Sequence, residues 1–329
     1  MKPSEKKDLA RLVKGLSRYQ SFLLTCHVTP EGDAIGSMLA MESLLRRMGK
    51  KTRIVCQDPF PERLPCLSRR RWLRTCDLGT RIPSFDAVVL TDCPSLARVG
   101  DVVKLIRPDS VIFNIDHHVS NTRFGRYNFV RPEAAATAEV VLDIFETLKF
   151  KPTRDEAKSL YVGLATDTGS FKYGNTRAKS HLAAAELISA GINIEKINDD
   201  IHGSYSLKTI KLYERLFGRV KTAAEGAVAW ASLRRLDLEK AGANDEDAEG
   251  FIDFVRYIKG VKIAFFISEL PDGQSVRVSF RARGAYDVNR LATHFNGGGH
   301  RKSAGCKIKA RLEDAEQQIV QRILKTFRF

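Results

Sequence analysis

Phe22–Arg47 reads FLLTCHVTPEGDAIGSMLAMESLLRR, and the hydrophobic period changes once within it. Residues 22–27 form a short, continuous apolar run ending at His27, the pattern of a strand covered on both faces. Pro30 and Gly32 then mark a turn. From Ala34 to Arg47 the apolar side chains Ile35, Met38, Leu39, Met41, Leu44 and Leu45 recur at helical spacing, and Gly49 ends the helix. A buried strand, a tight turn and an amphipathic helix make the first half of a βαβ unit. Three more apolar runs, Lys51–Cys56, DAVVLTD at 86–92 and SVIFNID at 110–116, read as further strands. Residues 137–149 and 154–166 read as helices. Strands alternating with helices predict an α/β fold with a parallel sheet and flanking helices.

The character changes further on. Residues 217–231 look like a strand pair turning at Glu225-Gly226, and a helix is expected at 245–258. VKIAFFISEL and QSVRVSFRAR read as a hairpin around Pro271-Asp272-Gly273, followed by a helix from Asp287 to Phe295. The 329 residues exceed what one core commonly holds, so two domains are expected, 1–205 and 206–329, with the junction near 200–215. The second would be a smaller α/β domain.

Composition removes several function classes. No run approaches the ~20 apolar residues that cross a bilayer. The start, Met1–Ala10, has no apolar segment of a secretory signal, so a cytoplasmic location and no membrane partner are expected. The six cysteines form no CxxC pair, which removes zinc-ribbon and thioredoxin-type readings. Buried free thiols are the expectation, with a disulfide among Cys56, Cys66 and Cys76 as the alternative. A formal net charge of +15 suits an anionic partner such as a nucleotide or RNA, although solubility alone also accounts for surface lysines. The densest basic run, Arg69-Arg70-Arg71 with Arg74, reads as a solvated loop or helix face.

The acids and histidines are more informative. His27, Asp92 and Asp116-His117-His118 each fall at the carboxyl end of an expected parallel strand, and Glu31 and Asp33 follow on the turn after the first. Ligands of open α/β sheets bind past those strand ends. Carboxylates with imidazoles and no sulfur favour Mn²⁺ or Mg²⁺. A pair of such ions activates water and stabilises phosphoryl oxygens in an in-line displacement. Singly, each residue has an ordinary alternative: His27 a packed polar group, Asp92 a turn aspartate, Asp33 a helix cap.

As a set, these motifs resemble the DHH phosphoesterases that carry a DHHA1 domain. The matching stretches are His27–Ser37, Leu90-Thr91-Asp92, Asp116-His117-His118, Gly163–Phe171, Gly297-Gly298-Gly299-His300 and Ser303-Ala304-Gly305. They occur in the family's order along nearly the whole chain. The resemblance implies that His27, Glu31 and Asp92 hold one ion, and that Asp33, Asp92, His117 and Asp167 hold the other. Asp116 would support the neighbouring imidazole, and His118 would contact the substrate phosphate or leaving group. Arg281, preferred over Arg283, would bind substrate with Gly297, Gly298, Gly299 and His300, in a cleft between the two domains. Glu31 stands where the family has Asp, and Asn296 where many relatives have Gly.

The expected activity is Mn²⁺-dependent hydrolysis, with Mg²⁺ as the other candidate ion and two ions per site. Within the family the chain looks like the stand-alone members that degrade short oligoribonucleotides, such as pApA, to 5′-mononucleotides and dephosphorylate 3′-phosphoadenosine 5′-phosphate. Cleavage of cyclic di-AMP is the alternative, and a catalytically dead nucleotide- or RNA-binding protein a more distant one. A homodimer stands open as the assembly state.

Overall fold

The computed structural model describes residues 1–59, 64–67, 73–76, 84–202 and 205–329. The run Arg69-Arg70-Arg71 lies outside them. The chain divides into two compact units, Met1–Ser204 and Tyr205–Phe329.

The first unit begins with α1 (Pro3–Arg18), β1 (Ser21–Thr25), α2 (Gly32–Arg47), β2 (Lys51–Cys56), β3 (Leu73–Thr75) and β4 (Ala87–Thr91). It continues with β5 (Val111–Asp116), β6 (Tyr127–Val130), α3 (Thr137–Thr147), α4 (Arg154–Asp167), α5 (Ala178–Ser189) and α6 (Ile194–His202). The strands form one sheet in the order β3-β2-β1-β4-β5-β6, and every neighbouring pair is parallel. The parallel sheet read from the apolar runs is therefore present. Its central strands are covered: β4 is buried along its whole length, and β1 from Phe22 onward. The ladder of β1 stops at Thr25, so Cys26 and His27 lie just past the strand rather than in it.

Besides the short β3 and the 3₁₀ stretch Leu96–Leu105, two elements of this unit escape the sequence pattern. The first is α1, whose polar start hides an apolar stripe, Leu9, Leu12 and Leu16, all buried. The second is β6, four residues long at the sheet edge. The middle of the fold is α2, buried continuously from Gly32 to Leu45. It packs on α4 so closely that a Cβ on Gly36 would stand 2.2 Å from the Ser159 carbonyl oxygen. All six cysteines are free; five are buried and Cys76 is partly exposed. Cys56 faces Cys26, Sγ to Sγ 3.9 Å.

The second unit holds α7 (Leu207–Phe217), β7 (Lys221–Ala223), β8 (Val228–Leu233), α8 (Arg235–Ala241) and α9 (Phe251–Tyr257). It ends with β9 (Ile263–Glu269), β10 (Val276–Ala282), α10 (Asn289–His294), β11 (Gly298–Gly299), β12 (Ser303–Ile308) and α11 (Leu312–Thr326). Its sheet runs β11-β12-β10-β9-β8-β7, with only β8–β9 parallel. The helix expected at 245–258 is two pieces: a 3₁₀ turn, Glu246–Ala248, then α9. Gly250, at φ +86°, breaks the chain between them, outside the right-handed helical region.

Candidate metal centre

β1, β4 and β5 are adjacent in the sheet, so their carboxyl ends open onto one place. His27 follows β1, Asp92 follows β4, and Asp116 closes β5 with His117 and His118 directly after it. Asp33 sits in the first turn of α2 and Asp167 is the last residue of α4. Asp92 stands in the middle. Its Oδ2 lies 3.4 Å from His27 Nε2, while its Oδ1 lies 3.6 Å from His117 Nε2 and 3.5 Å from His118 Nδ1. One carboxylate thus turns an oxygen to each side of the cluster. Asp92 also has φ +55°, a left-handed conformation that Asp tolerates better than most residues and that turns its side chain off the strand axis. Asp167 Oδ2 lies 3.3 Å from His117 Nε2.

Each imidazole is oriented through Nδ1. That of His27 is 2.7 Å from the Val28 carbonyl oxygen, and that of His117 is 3.2 Å from the Ala134 carbonyl oxygen. A carbonyl only accepts, so in both rings Nδ1 carries the proton and Nε2 is directed at Asp92. His118 uses Nδ1 differently: it donates to Asp116 Oδ1 at 2.7 Å. This changes the reading of Asp116. Its carboxylate bonds the ring of His118 and only the main-chain N–H of His117, at 2.8 Å; the His117 ring is supported by Ala134. Asn121 Nδ2 completes Asp116 by donating to Oδ2, and it also reaches Asn114 Oδ1 at 2.8 Å.

Asp33 has a second task. Ala136 at the N-cap of α3 offers no side-chain cap, and the N–H groups of Thr137 and Ala138 donate instead to the Asp33 carboxylate, at 2.6 and 2.9 Å. Ser37 Oγ adds a third bond at 3.1 Å. A carboxylate accepts about four hydrogen bonds, so capacity remains for a cation. Thr137 also donates through Oγ1 to Asp92 Oδ1 at 2.9 Å, tying two acids to one helix end. Neither Thr137 nor Asn121 stood out in the sequence. A threonine opening a helix and an asparagine in a loop are too common to be read as support residues.

The charge balance fits a cation. Burial, then the charges of Asp92 and Asp167, push Asp33 well above the usual carboxylate range. Burial, opposed by His117 and reinforced by Asp92 and Glu31, pushes Asp167 up to about 6. Burial alone would lower His117, but Asp167, Asp92 and Asp33 outweigh it and raise the ring to about 9. Asp92 is held below its usual range because His27 and the other imidazoles outweigh its burial. Four acids around three imidazoles, mostly buried, leave a surplus of negative charge that a divalent ion removes. Asp33, Asp92 and His117 bring one donor atom each within 4.8 Å of one another, and so do Asp92, Asp116 and His118. Glu31 joins neither group. It is the exposed N-cap of α2, and its charge is felt at Asp167.

In the second unit, Arg281 pairs with Ser303 across β10–β12, two positions from the Gly298↔Gly305 pair of β11–β12. The register therefore brings Arg281 to the same part of that sheet as the glycine run. Its Nε lies 3.9 Å from Asp253 Oδ1 and, among the described residues, has no hydrogen-bond partner. The glycines divide by packing. A Cβ on Gly297 would meet the Gly305 carbonyl oxygen at 2.2 Å, and one on Gly299 would meet the Ser303 carbonyl oxygen at 2.6 Å, whereas Gly298 faces open space. His300 closes the turn into β12 through its N–H to the Ser303 carbonyl oxygen, at 2.7 Å, and its side chain is exposed. Among the described residues, no helix is long and apolar enough to cross a membrane.

Residues 21–164 match the DHH family, N-terminal domain, and residues 225–328 match the DHHA1 domain. The chain is 32% identical over 306 residues to the bifunctional oligoribonuclease and PAP phosphatase NrnA of Thermus thermophilus, covering 91% of this chain and 88% of that protein. It is 27% identical to the Bacillus subtilis protein of the same name, covering 90% and 92%. Among solved structures, an exopolyphosphatase-related protein from Bacteroides fragilis superposes with a TM-score of 0.90 at 25% identity, over 97% of this chain and 96% of that one. With both domains matched and these relatives aligned along most of their length, the chain belongs to the DHH family of phosphoesterases and is a hydrolase.

Proposed function

We propose that this protein hydrolyses short oligoribonucleotides to 5′-mononucleotides and removes the 3′-phosphate of 3′-phosphoadenosine 5′-phosphate, using two Mn²⁺ ions. The substrate reading is supported by the two NrnA relatives. The observation that carries the two-ion reading is Asp92, whose two oxygens face His27 on one side and His117 on the other. In this reading His27, Glu31 and Asp92 hold one ion, and Asp33, Asp92, His117 and Asp167 the other. The oxygen and imidazole donors suit Mn²⁺, with Mg²⁺ as the competitor. When bound, the ions lower the pKa of water and offset charge on the phosphoryl oxygens.

The chain's own groups do the rest. His27 and His117 present Nε2 because Val28 and Ala134 hold Nδ1. Asp116 holds the His118 ring, with Nε2 on its far side, and keeps a proton on Nδ1, so His118 can bind a phosphate oxygen or protonate a leaving group. Thr137 and Ser37 keep the acids in place. Arg281, Gly297, Gly298, Gly299 and His300 are the proposed substrate-binding group of the 206–329 domain, with 1–205 as the catalytic one. The test is a panel of 3′-phosphoadenosine 5′-phosphate, pApA, cyclic di-AMP and a long RNA, each with Mn²⁺ and with Mg²⁺. Hydrolysis of pApA to AMP, lost in Asp92→Ala and His117→Ala, is expected. Unchanged hydrolysis in either variant would refute the centre, and preference for cyclic di-AMP would refute the substrate.

A further inference from the structure

Four cations line one cavity at the edge of the N-terminal sheet. Arg11, Lys14 and Arg18 come from α1 and Arg126 immediately precedes β6; their side chains are exposed, and with Gly15 and Tyr127 they line an open cleft of about 420 Å³. The spacing i, i+3, i+7 puts the three helical cations on one face. Gly15 lets that face come down on the sheet, because a Cβ there would stand 2.8 Å from the Tyr127 ring. Tyr127 in turn stacks on Phe113, ring centroids 4.6 Å apart. The cavity has a firm aromatic floor and a cationic wall.

Charge balance sets this group apart. Other arginines of the same unit meet acids: Arg123 meets Asp8 at 2.9 Å, Arg177 meets Glu133 at 2.8 Å and Arg47 meets Glu156 at 2.6 Å. Among the described residues, the side chains of Arg11, Lys14, Arg18 and Arg126 have no such partner, and no carboxylate lines the cavity. Like charges around a concave, partly low-dielectric wall concentrate a positive potential that draws anions. The volume falls within the range of small-molecule sites, ~300–1,000 Å³. A single phosphate, with about two negative charges, would leave about half of the four unmatched.

The cavity is not part of the metal centre. Tyr127 opens β6 opposite Phe113, whereas Val130 pairs with Asp116 three residues further on. At ~3.3 Å per residue the two levels are about 10 Å apart along the strand, toward opposite ends of the sheet.

We propose that this cavity is a second anion site, taking a small molecule with two or more adjacent phosphate groups against Arg11, Lys14, Arg18 and Arg126. The chemistry is shared by nucleoside triphosphates and inorganic polyphosphate. The test titrates the full chain, with EDTA present, with inorganic tripolyphosphate and separately with ATP, and repeats both on R11Q/K14Q/R18Q/R126Q. A parallel experiment follows acylation of Lys14 by peptide mass spectrometry. Binding by either probe that weakens at least tenfold in the variant, with slowed Lys14 acylation in the wild type, is expected. The tighter probe names the source. Should the variant misfold, the Lys14 footprint of the wild type decides alone. Equal affinity in wild type and variant would overturn the proposal, as would protection of Lys14 by a long single-stranded RNA but by neither probe. Hydrolysis of pApA is expected to be unchanged in the variant, which keeps this test separate from that of the catalytic centre.

Discussion

Gly36 of α2 and Ser159 of α4 are in backbone contact: the position a Cβ would take on Gly36 is 2.2 Å from the Ser159 carbonyl oxygen. The two helices that carry Asp33 and Asp167 are set at their distance by this pair. Gly36→Ala must therefore push them apart. Overpacking of this kind destabilises by about 1–3 kcal/mol. Urea unfolding should show the loss, and hydrolytic activity should fall beyond it, because Asp33 moves with α2. A variant with wild-type stability would show that the helices accommodate the methyl group.

Asn121 donates to Asp116, which orients His118. Asn121→Ala leaves Asp116 with one fewer hydrogen bond. Support residues of this kind are worth about 10–100-fold. A fall of that size in kcat on pApA, with little change in KM and in bound metal, is expected. A large loss of metal instead would place Asn121 under the ion ligands rather than under His118.

Arg131 and Asp143 form a buried ion pair, 6% and 2% exposed, that Lys179 joins at 2.5 Å from Asp143 Oδ1. Removing one partner of such a pair strands a charge, which destabilises by about 3–5 kcal/mol. Arg131→Leu should lower stability toward that range, moderated by Lys179. Asp143→Asn combined with Arg131→Leu should recover part of it. A double variant no more stable than Arg131→Leu alone would count against the stranded charge.

Burial pushes the Cys306 thiol up to about 11. In the unfolded chain a thiol ionises near ~8.5. Between these values the unfolded state releases a proton that the native state keeps, so stability falls as pH rises from ~8.5 toward 11. Denaturant midpoints measured at pH 8 and pH 10 should diverge less in Cys306→Ala than in the wild type. Equal divergence in both would remove Cys306 as a contributor.

Gly298 faces open space while Gly297 and Gly299 do not. Gly298→Ala should leave the Tm within a few degrees, as substitutions away from packed features change stability by about 0.5 kcal/mol or less. Its KM for pApA should rise if the Gly298 amide approaches the substrate. Gly297→Ala should lose stability outright. The comparison separates a binding glycine from a packing one.

Much of the N-terminal fold was legible because a parallel sheet declares itself. Strands covered on both faces must be nearly continuous in apolar residues, as in β4 from Ala87 to Leu90, and helices between them must show a 3.6-residue stripe, as in α2. The exceptions are instructive. The polar first turns of α1 mask its stripe of Leu9, Leu12 and Leu16, and β6 is too short to have a pattern. Near residue 250 the helical spacing continues across a glycine whose positive φ interrupts the helix.

By itself the sequence determined which residue types sit at the strand ends: His27, Asp92 and Asp116-His117-His118, acids and imidazoles where a parallel sheet opens. Local periodicity is enough for that, because strand ends follow from where apolar runs stop. Only the tertiary structure decided what each group faces. Asp116 turns to His118 and leaves the His117 ring to Ala134; Asp33 caps a helix a hundred residues away; Glu31 stays at the surface. Hydrogen-bond partners far apart in sequence are chosen by packing, and periodicity carries no record of that choice.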